Sequence, residues 1–462
     1  MTLNAETERL TAAIRFGLGA SSADIEAMGD DPRGWLARQI DETPPAPPRP
    51  VADELRRDSS RLQRELVAER DARRAGDEAA AEDIARRYIP LAKRVDATLA
   101  AQKLDVAMRT AATKTPYRER LTGFWTNHFS VRPKNRLARS AVPYFSQAAI
   151  APFVTAPFVD LLFSAIRHPA MQIYLDSIYS VGPNSPEGRE RGQGLNENLA
   201  RELLELHTLG VDGGYTQDDV ISLAKGLTGW AFHSLLDEKS AWTFEFRAER
   251  HEPGALVLLG KTYPDRGVET AELMLRDLVR HPATARHLAT KLVRHFVDDR
   301  PPEKTVRKVA RIYLDTEGDL AAVSKTLAGL DEARHSLFSK LKQPGDLVIS
   351  SFRAFDIEMT PQLATLAAEH QAAMGQPPFM PPGPQGWYDT AADWNDPSSL
   401  RRRVDWGVEL ARRTGGELDV AAAMERNFGS RLDRDTRVAV TRAPTRREAA
   451  AILLASPMFQ RR

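Results

Sequence analysis

Histidines set among apolar helical residues carry the main chemical signal of this sequence. The stretch from Asn196 to His233 (NENLARELLELHTLGVDGGYTQDDVISLAKGLTGWAFH) is the densest. A helix opening at Asn196, a good N-cap residue, places Leu199, Leu203 and Leu206 on one face with Ala200 and His207. Glu197, Arg201 and Glu205 form a ladder on the other side, and Asn198 and Glu202 lie at the border. In Tyr117–Val131 the apolar stripe is Leu121, Phe124, Trp125, His128 and Phe129. In Thr284–Val297, His295 aligns with Leu288 and Leu292, while His287, Lys291 and Arg294 make a polar face. Helical bundles build metal and cofactor centres from inward His and Glu residues. His128, His207 and His295 are therefore the candidate ligands of a divalent metal. The plain alternative for each is a core imidazole satisfied by a backbone carbonyl.

Proton-handling roles fall to Glu202, which could reach a cleft edge, and to His251. The pair His251-Glu252 sits on a tight turn after a β-like run and before Pro253-Gly254, a placement suited to acid–base work; an exposed turn is the alternative. Asn198 and Trp387 are candidate contacts to a cofactor or substrate, with the Trp387–Trp394 loop as a cover. The turn VDGGYTQDDV looks like half a calcium loop but lacks oxygen donors at the alternating positions. It reads better as a Gly213-Gly214 helix stop followed by a Thr216/Asp219 capping box. The string KGLTGW at 225–230 lies within a helical pattern, its glycines permitting close packing. No phosphate loop, dinucleotide fingerprint, nucleophile elbow or HExxH helix is present.

The elements that must position these groups are mostly helical. The expected fold is mainly α: a large multi-helical single domain with a small β-hairpin or ribbon and a protruding helical hairpin. Residues 1–51 hold N-terminal helices and a Pro-rich spacer at 43–50, with Ser21 or Ser22 and Asp31-Pro32 opening helices. Residues 52–115 form a charged hairpin arm breaking near Gly76. The core spans 116–375 with a ribbon near 242–263, where Trp242, Phe244 and Phe246 alternate with polar residues. The Pro/Gly/Trp loop and C-terminal helices of 376–462 pack on it. His168 and His281 each precede a proline and so start helices.

Lys+Arg 64 against Asp+Glu 63 gives a net charge of +1 over 462 residues, so no basic field argues for nucleic acid. Zero cysteines exclude thiolate metal sites and thiol nucleophiles. No apolar run is long enough for a membrane span. The N-terminus as written has no secretory h-region, so a cytoplasmic location is expected.

These residues resemble a large bacterial family known only as a domain of unknown function, numbered eighteen-hundred. The strongest likeness is Asn196-Glu-Asn-Leu-Ala-Arg-Glu-Leu-Leu-Glu-Leu-His-Thr-Leu-Gly-Val211, continuing through Gly213-Gly-Tyr-Thr-Gln217 to Leu227-Thr-Gly-Trp230. Arg15-Phe-Gly17, Phe124-Trp-Thr-Asn-His-Phe129, His168-Pro-Ala-Met171, Tyr174-Leu-Asp176, His281-Pro-Ala-Thr-Ala285 and Lys340-Leu-Lys-Gln-Pro344 extend it. So do Pro381-Pro382, Gly386-Trp387 and Ser456-Pro-Met-Phe-Gln460. The family's His-Asp turn is His251-Glu252 here. The resemblance implies no established reaction. It does imply exported relatives and a protein partner of sulfatase-like fold. Two classes of function follow: a metal- or cofactor-assisted, hydrolase-like enzyme with a His/Glu site between core helices, or a non-catalytic accessory protein that binds a small molecule or a partner.

Overall fold

Ser21 opens the helix Ser22–Met28 with a reciprocal capping box to Asp24, and Asp31 caps the helix that begins at Pro32. The computed structural model describes residues 3–43, 53–134, 136–192, 194–234, 236–237, 241–414 and 418–462, so most of the Pro-rich spacer lies outside it. Among the described residues are 23 α-helices and two small antiparallel two-stranded sheets, a mainly α single domain.

The charged arm is a helical hairpin, α1 (Asp53–Arg74) and α2 (Glu78–Ala112), turning at Gly76 with φ +76°. Its tip is exposed and laced with Arg–Asp and Arg–Glu pairs. Its inner side is not free: Leu55, Leu62, Leu91, Val95 and Leu99 are buried in the main core. Arg353 holds the far end of α2, donating to the carbonyls of Ala111 and Thr113.

The site is framed by α3 (Pro116–His128), α4 (Asn198–Glu202) continuing into a π-helical turn over Leu203–His207, α5 (Gln217–Leu227) and α6 (Pro282–Phe296). Thr216 and Asp219 form the expected capping box at the start of α5. Asp219 also accepts from Leu259 N at 2.6 Å, fixing the following hairpin to the helix. The expected helical run through Trp230 stops at Leu227. Gly229 takes φ +85°, and Trp230–Phe232 is instead strand β1. It pairs with β2 (Phe244–Phe246), the register joining Trp230 to Phe246. The ribbon expected near 242–263 is thus two separate sheets, the second formed by β3 (Leu256–Leu258) and β4 (Lys261–Tyr263). Trp242 lies outside both, buried with φ +71° and stacked on Phe232.

Apolar side chains collect in two clusters, one drawn from Ala12 to Ala333 and the other from Leu347 to Phe459. Between them runs a seam of buried charge. Arg120 and Arg462 both pair with Asp346, at 3.1 and 2.8 Å, and Arg353 pairs with Asp24 at 2.6 Å. Arg15, fully buried, donates to the hydroxyls of Ser336 and Ser339. No helix among the described residues is long and apolar enough to cross a membrane.

His168 and His281 do start helices, and the structure shows how. Each is an N-cap whose Nδ1 accepts the amide of the alanine two residues on, at 3.2 Å, with proline at the first helical position. An N-cap acceptor contributes about 1 kcal/mol. The substitution His281→Ala is expected to lower unfolding stability in urea by about that amount, and His281→Asn to restore most of it. Equal stability of all three proteins would refute the capping role.

Candidate functional site

The π turn is the local feature that builds the site. A π turn adds a residue to the helical repeat and shifts the side chains that follow. The face expected from an ordinary helix therefore changes: Leu204 is fully buried, while Leu206 is only half-buried. His207 points inward, without solvent exposure. The last carbonyls of such a segment have no partner within the helix. Two are taken by histidines from neighbouring helices. His128 Nε2 lies 3.3 Å from the carbonyl of His207, and His287 Nε2 lies 2.9 Å from that of Leu206.

A carbonyl can only accept, so each of these rings carries its proton on Nε2 and leaves Nδ1 as a bare acceptor. His128 Nδ1 is buried without a partner, as are both nitrogens of His207. Gly210, at φ +85°, brings the backbone against His287; a Cβ there would lie 2.7 Å from its Nδ1. The His128 ring centroid is 5.5 Å from that of His207 and 6.4 Å from that of His287. Trp125, Phe129 and Phe158 complete an aromatic wall around His128.

Lys291 belongs to the same cluster. His287, Lys291 and His295 recur every four residues along α6 and so share one stripe. Among the described residues the Lys291 ammonium makes no ion pair or hydrogen bond. Burial pushes its pKa down to about 8; Asp389 opposes that and Arg294 adds to it. Burial, then Lys291, then the neighbouring imidazoles hold His128 well below the usual histidine range. Burial and Lys291 likewise bring His207 to about 3, and His287 is lowered to about 4. At neutral pH the three imidazoles are uncharged.

His295 is turned elsewhere. Its Nδ1 meets Asp389 at 2.7 Å, and its Nε2 is buried without a partner. Burial disfavours the Asp389 carboxylate, but His295, Lys340 and Gln343 outweigh it and keep the pKa low. Asp389 sits on the Pro/Gly/Trp loop, which is firmly seated. Asn127 and the backbone of Trp387 exchange two hydrogen bonds, of 2.7 and 2.9 Å. Gly386, at φ +78°, permits this approach, since a Cβ there would meet the Asn127 carbonyl at 2.3 Å. Trp394 Nε1 donates to the Tyr388 carbonyl, and its ring lies 5.9 Å from that of Trp387.

The structure thus brings His128 and His207 together as the sequence suggested, but pairs them with His287 and Lys291 rather than with His295. No group of three or more His, Asp or Glu side chains among the described residues is placed to hold a metal ion. The expected His128/His207/His295 ligand set is not assembled, because Asp389 draws the His295 ring aside and carbonyls engage His128. Glu202 is half-buried; burial and Glu205 raise its pKa, and it acts on the nearby Tyr174 together with Arg132. Asn198 is exposed.

His251 is engaged on the ribbon side, its Nδ1 3.0 Å from the Thr228 carbonyl and its ring against Phe246. Its Nε2 lies 3.6 Å from Asp265. Glu252, nearly fully buried, accepts two bonds from Asn184 and pairs with Lys225. The turn is a clasp between the 182–185 loop and the end of α5. A groove of about 540 Å³ elsewhere is bounded by Phe355, Thr360, Leu363, Arg413 and Leu418 and shares no residue with the histidine cluster.

Lys291, His287 and Asp389 were not singled out from sequence. The four-residue spacing His287–Lys291–His295 was a readable sign; the seat of Asp389, nearly a hundred residues along the chain, was not.

A mainly α domain with a buried, uncharged imidazole cluster around a lysine is the class of protein these features define. The chain belongs to the family described as "Protein of unknown function (DUF1800)", whose model matches residues 11–461. No curated protein and no solved structure gives a match.

The depressed imidazoles set a pH dependence. Their folded pKa values lie below the ordinary 6.5, so folding favours the neutral rings. That stability is complete above about pH 6.5 and is lost as pH falls towards 4 and 3. Unfolding free energy measured in urea should decline from pH 6.5 to 4. The substitution His207→Gln should flatten the decline, and an unchanged slope in that variant would disprove the assignment.

Proposed function

We propose that this chain is an enzyme whose working group is the amine of Lys291, acting as a base or nucleophile on an anionic small molecule. The observation that carries this reading is an ammonium group placed among three neutral imidazoles with no counter-ion bound to it. A half-buried, unpaired cation costs stability, and lysines held this way are partly deprotonated near neutral pH, as general bases and nucleophiles must be. Arg294 acts on both Lys291 and His287 and, among the described residues, has no ion pair or hydrogen bond, so a second cation is left for the substrate's negative group. The bare nitrogens of His128 and His207 accept and return protons within the cluster.

Glu202, with its raised pKa, supplies an acid at the rim, and the Trp387–Trp394 loop covers the site. Asn198 and His251 take no part. A hydrolytic reaction assisted by a metal finds no ligand set in this arrangement, so the reading rests on the amine alone.

Trinitrobenzenesulfonate at pH 8, followed by peptide mapping, tests it. Lys291 should be modified at least about tenfold faster than the exposed lysines, whose amines titrate near 10.4. Labelling at the surface rate would defeat the proposal. The depressed pKa also predicts a stability effect. The penalty for the charged amine is complete below pH 8 and fades as pH rises to 10.5. The substitution Lys291→Met should therefore stabilise the fold at pH 7 by about 1 kcal/mol, reduced by the partial exposure of the side chain, and should lose this advantage at alkaline pH. Destabilisation at pH 7 would mark Lys291 as a structural residue.

A further inference from the structure

The arrangement around Lys291 narrows the class of substrate, an inference that rests on reading Lys291 as the working amine. We infer that Lys291 condenses with the carbonyl carbon of a small 2-oxo acid, whose carboxylate pairs with Arg294. Three features converge on this. The amine is unpaired, and the imidazoles beside it are walled by Phe124, Trp125, Phe129 and Phe158. Imine formation benefits from such a place, because water is a product and its exclusion favours condensation.

The second feature is the tautomeric state of the imidazoles. Condensation needs a base to take a proton from nitrogen and an acid to deliver one to oxygen. His207, uncharged and with neither ring nitrogen bonded, offers one donor and one acceptor; His128 offers a bare Nδ1. The third is charge. Lys291 loses its positive charge when it attacks as the free amine, while Arg294 keeps its own and remains available to a carboxylate.

The step balances without a further reagent. The Lys291 Nζ lone pair forms a bond to the carbonyl carbon as the C=O π pair moves to oxygen. A proton passes from nitrogen through an imidazole to that oxygen, giving a carbinolamine. The proton that Lys291 gave up on becoming the free amine returns through the imidazoles to the same oxygen and releases it as water, while the nitrogen lone pair closes the C=N bond. The product is a protonated imine linked to the protein, an electron-withdrawing group suited to later loss of a proton or carboxyl group from the adjacent carbon.

The test uses the intact protein with pyruvate, and with acetaldehyde as the counterpart lacking a carboxylate, each trapped by sodium cyanoborohydride and located by peptide mass spectrometry. Pyruvate should add one reduced pyruvyl group at Lys291, at least about tenfold above any other lysine and above acetaldehyde at the same site, a ratio corresponding to about 1.4 kcal/mol from the Arg294 contact. The substitution Arg294→Met should reduce pyruvate trapping at Lys291 to the level of acetaldehyde. Lys291→Arg, which keeps the charge, should abolish trapping without altering the circular dichroism spectrum. Fast labelling of Lys291 by trinitrobenzenesulfonate with no pyruvate adduct would overturn the imine and leave the amine reading intact. Equal trapping of pyruvate and acetaldehyde would overturn the assignment of a 2-oxo acid. Failure of both reagents to single out Lys291 would overturn the two together.

Discussion

Everything around the site depends on the contacts made by two half-buried carboxylates, Asp346 and Asp389. Asp389 is reached by His295 Nδ1 and Gln343 Nε2, and its backbone carbonyl by Lys340. Asp346 receives Arg120 from α3 and Arg462, whose other amino group donates to the His295 carbonyl. These contacts run between the two apolar clusters, joining α3, α6, the tryptophan loop and residues near 340 and 460. A buried charge left without its partner costs about 3–5 kcal/mol, so the network is least tolerant of single losses. Its geometric effect matters as much: by holding the His295 ring against Asp389 it separates that histidine from the cluster at His128 and His207.

What was legible in the sequence was what is decided locally. Ser21, Asp31 and the Thr216/Asp219 pair are caps whose partners lie within three residues, and all three form as expected. Gly76 turns the helical arm for the same reason: the left-handed backbone there costs glycine little. The ribbon lies where expected except for one strand, because strand pairing is not local. Nothing near Phe244 says that its partner is Phe232 rather than a residue within 242–263, and Gly229 had to be read as a helix stop rather than a packing glycine. The buried face of the Asn196 segment differs from the expected one at Leu206 because the π turn changes the period, and an extra residue in a turn leaves no mark on composition.

The candidate site was half legible for a related reason. His128 and His207 could be found because each sits in an apolar arc of its own helix. Lys291 and His287 were assigned to a polar face, yet that face and His295 form a single stripe, and contact with α3 and the π turn leaves it half-buried. Asp389 could not be paired with His295 from sequence, since the loop that carries it is placed by Asn127 and by charges scattered over the whole chain.

The chemistry of the cluster follows from how one helix ends. The carbonyls of Leu206 and His207 need donors, and His287 and His128 supply them through Nε2. Those bonds stabilise the helix terminus and, by fixing the proton on Nε2, turn both Nδ1 atoms into acceptors. Burial then keeps the rings uncharged, leaving Arg294 beside the amine as the cation offered to a negative group. A scaffold that capped the same carbonyls with water or serine hydroxyls would leave Lys291 without bases around it. The capping role and the proton-accepting role are therefore one arrangement: the hydrogen bonds that finish the helix also set the imidazoles in the state the lysine requires.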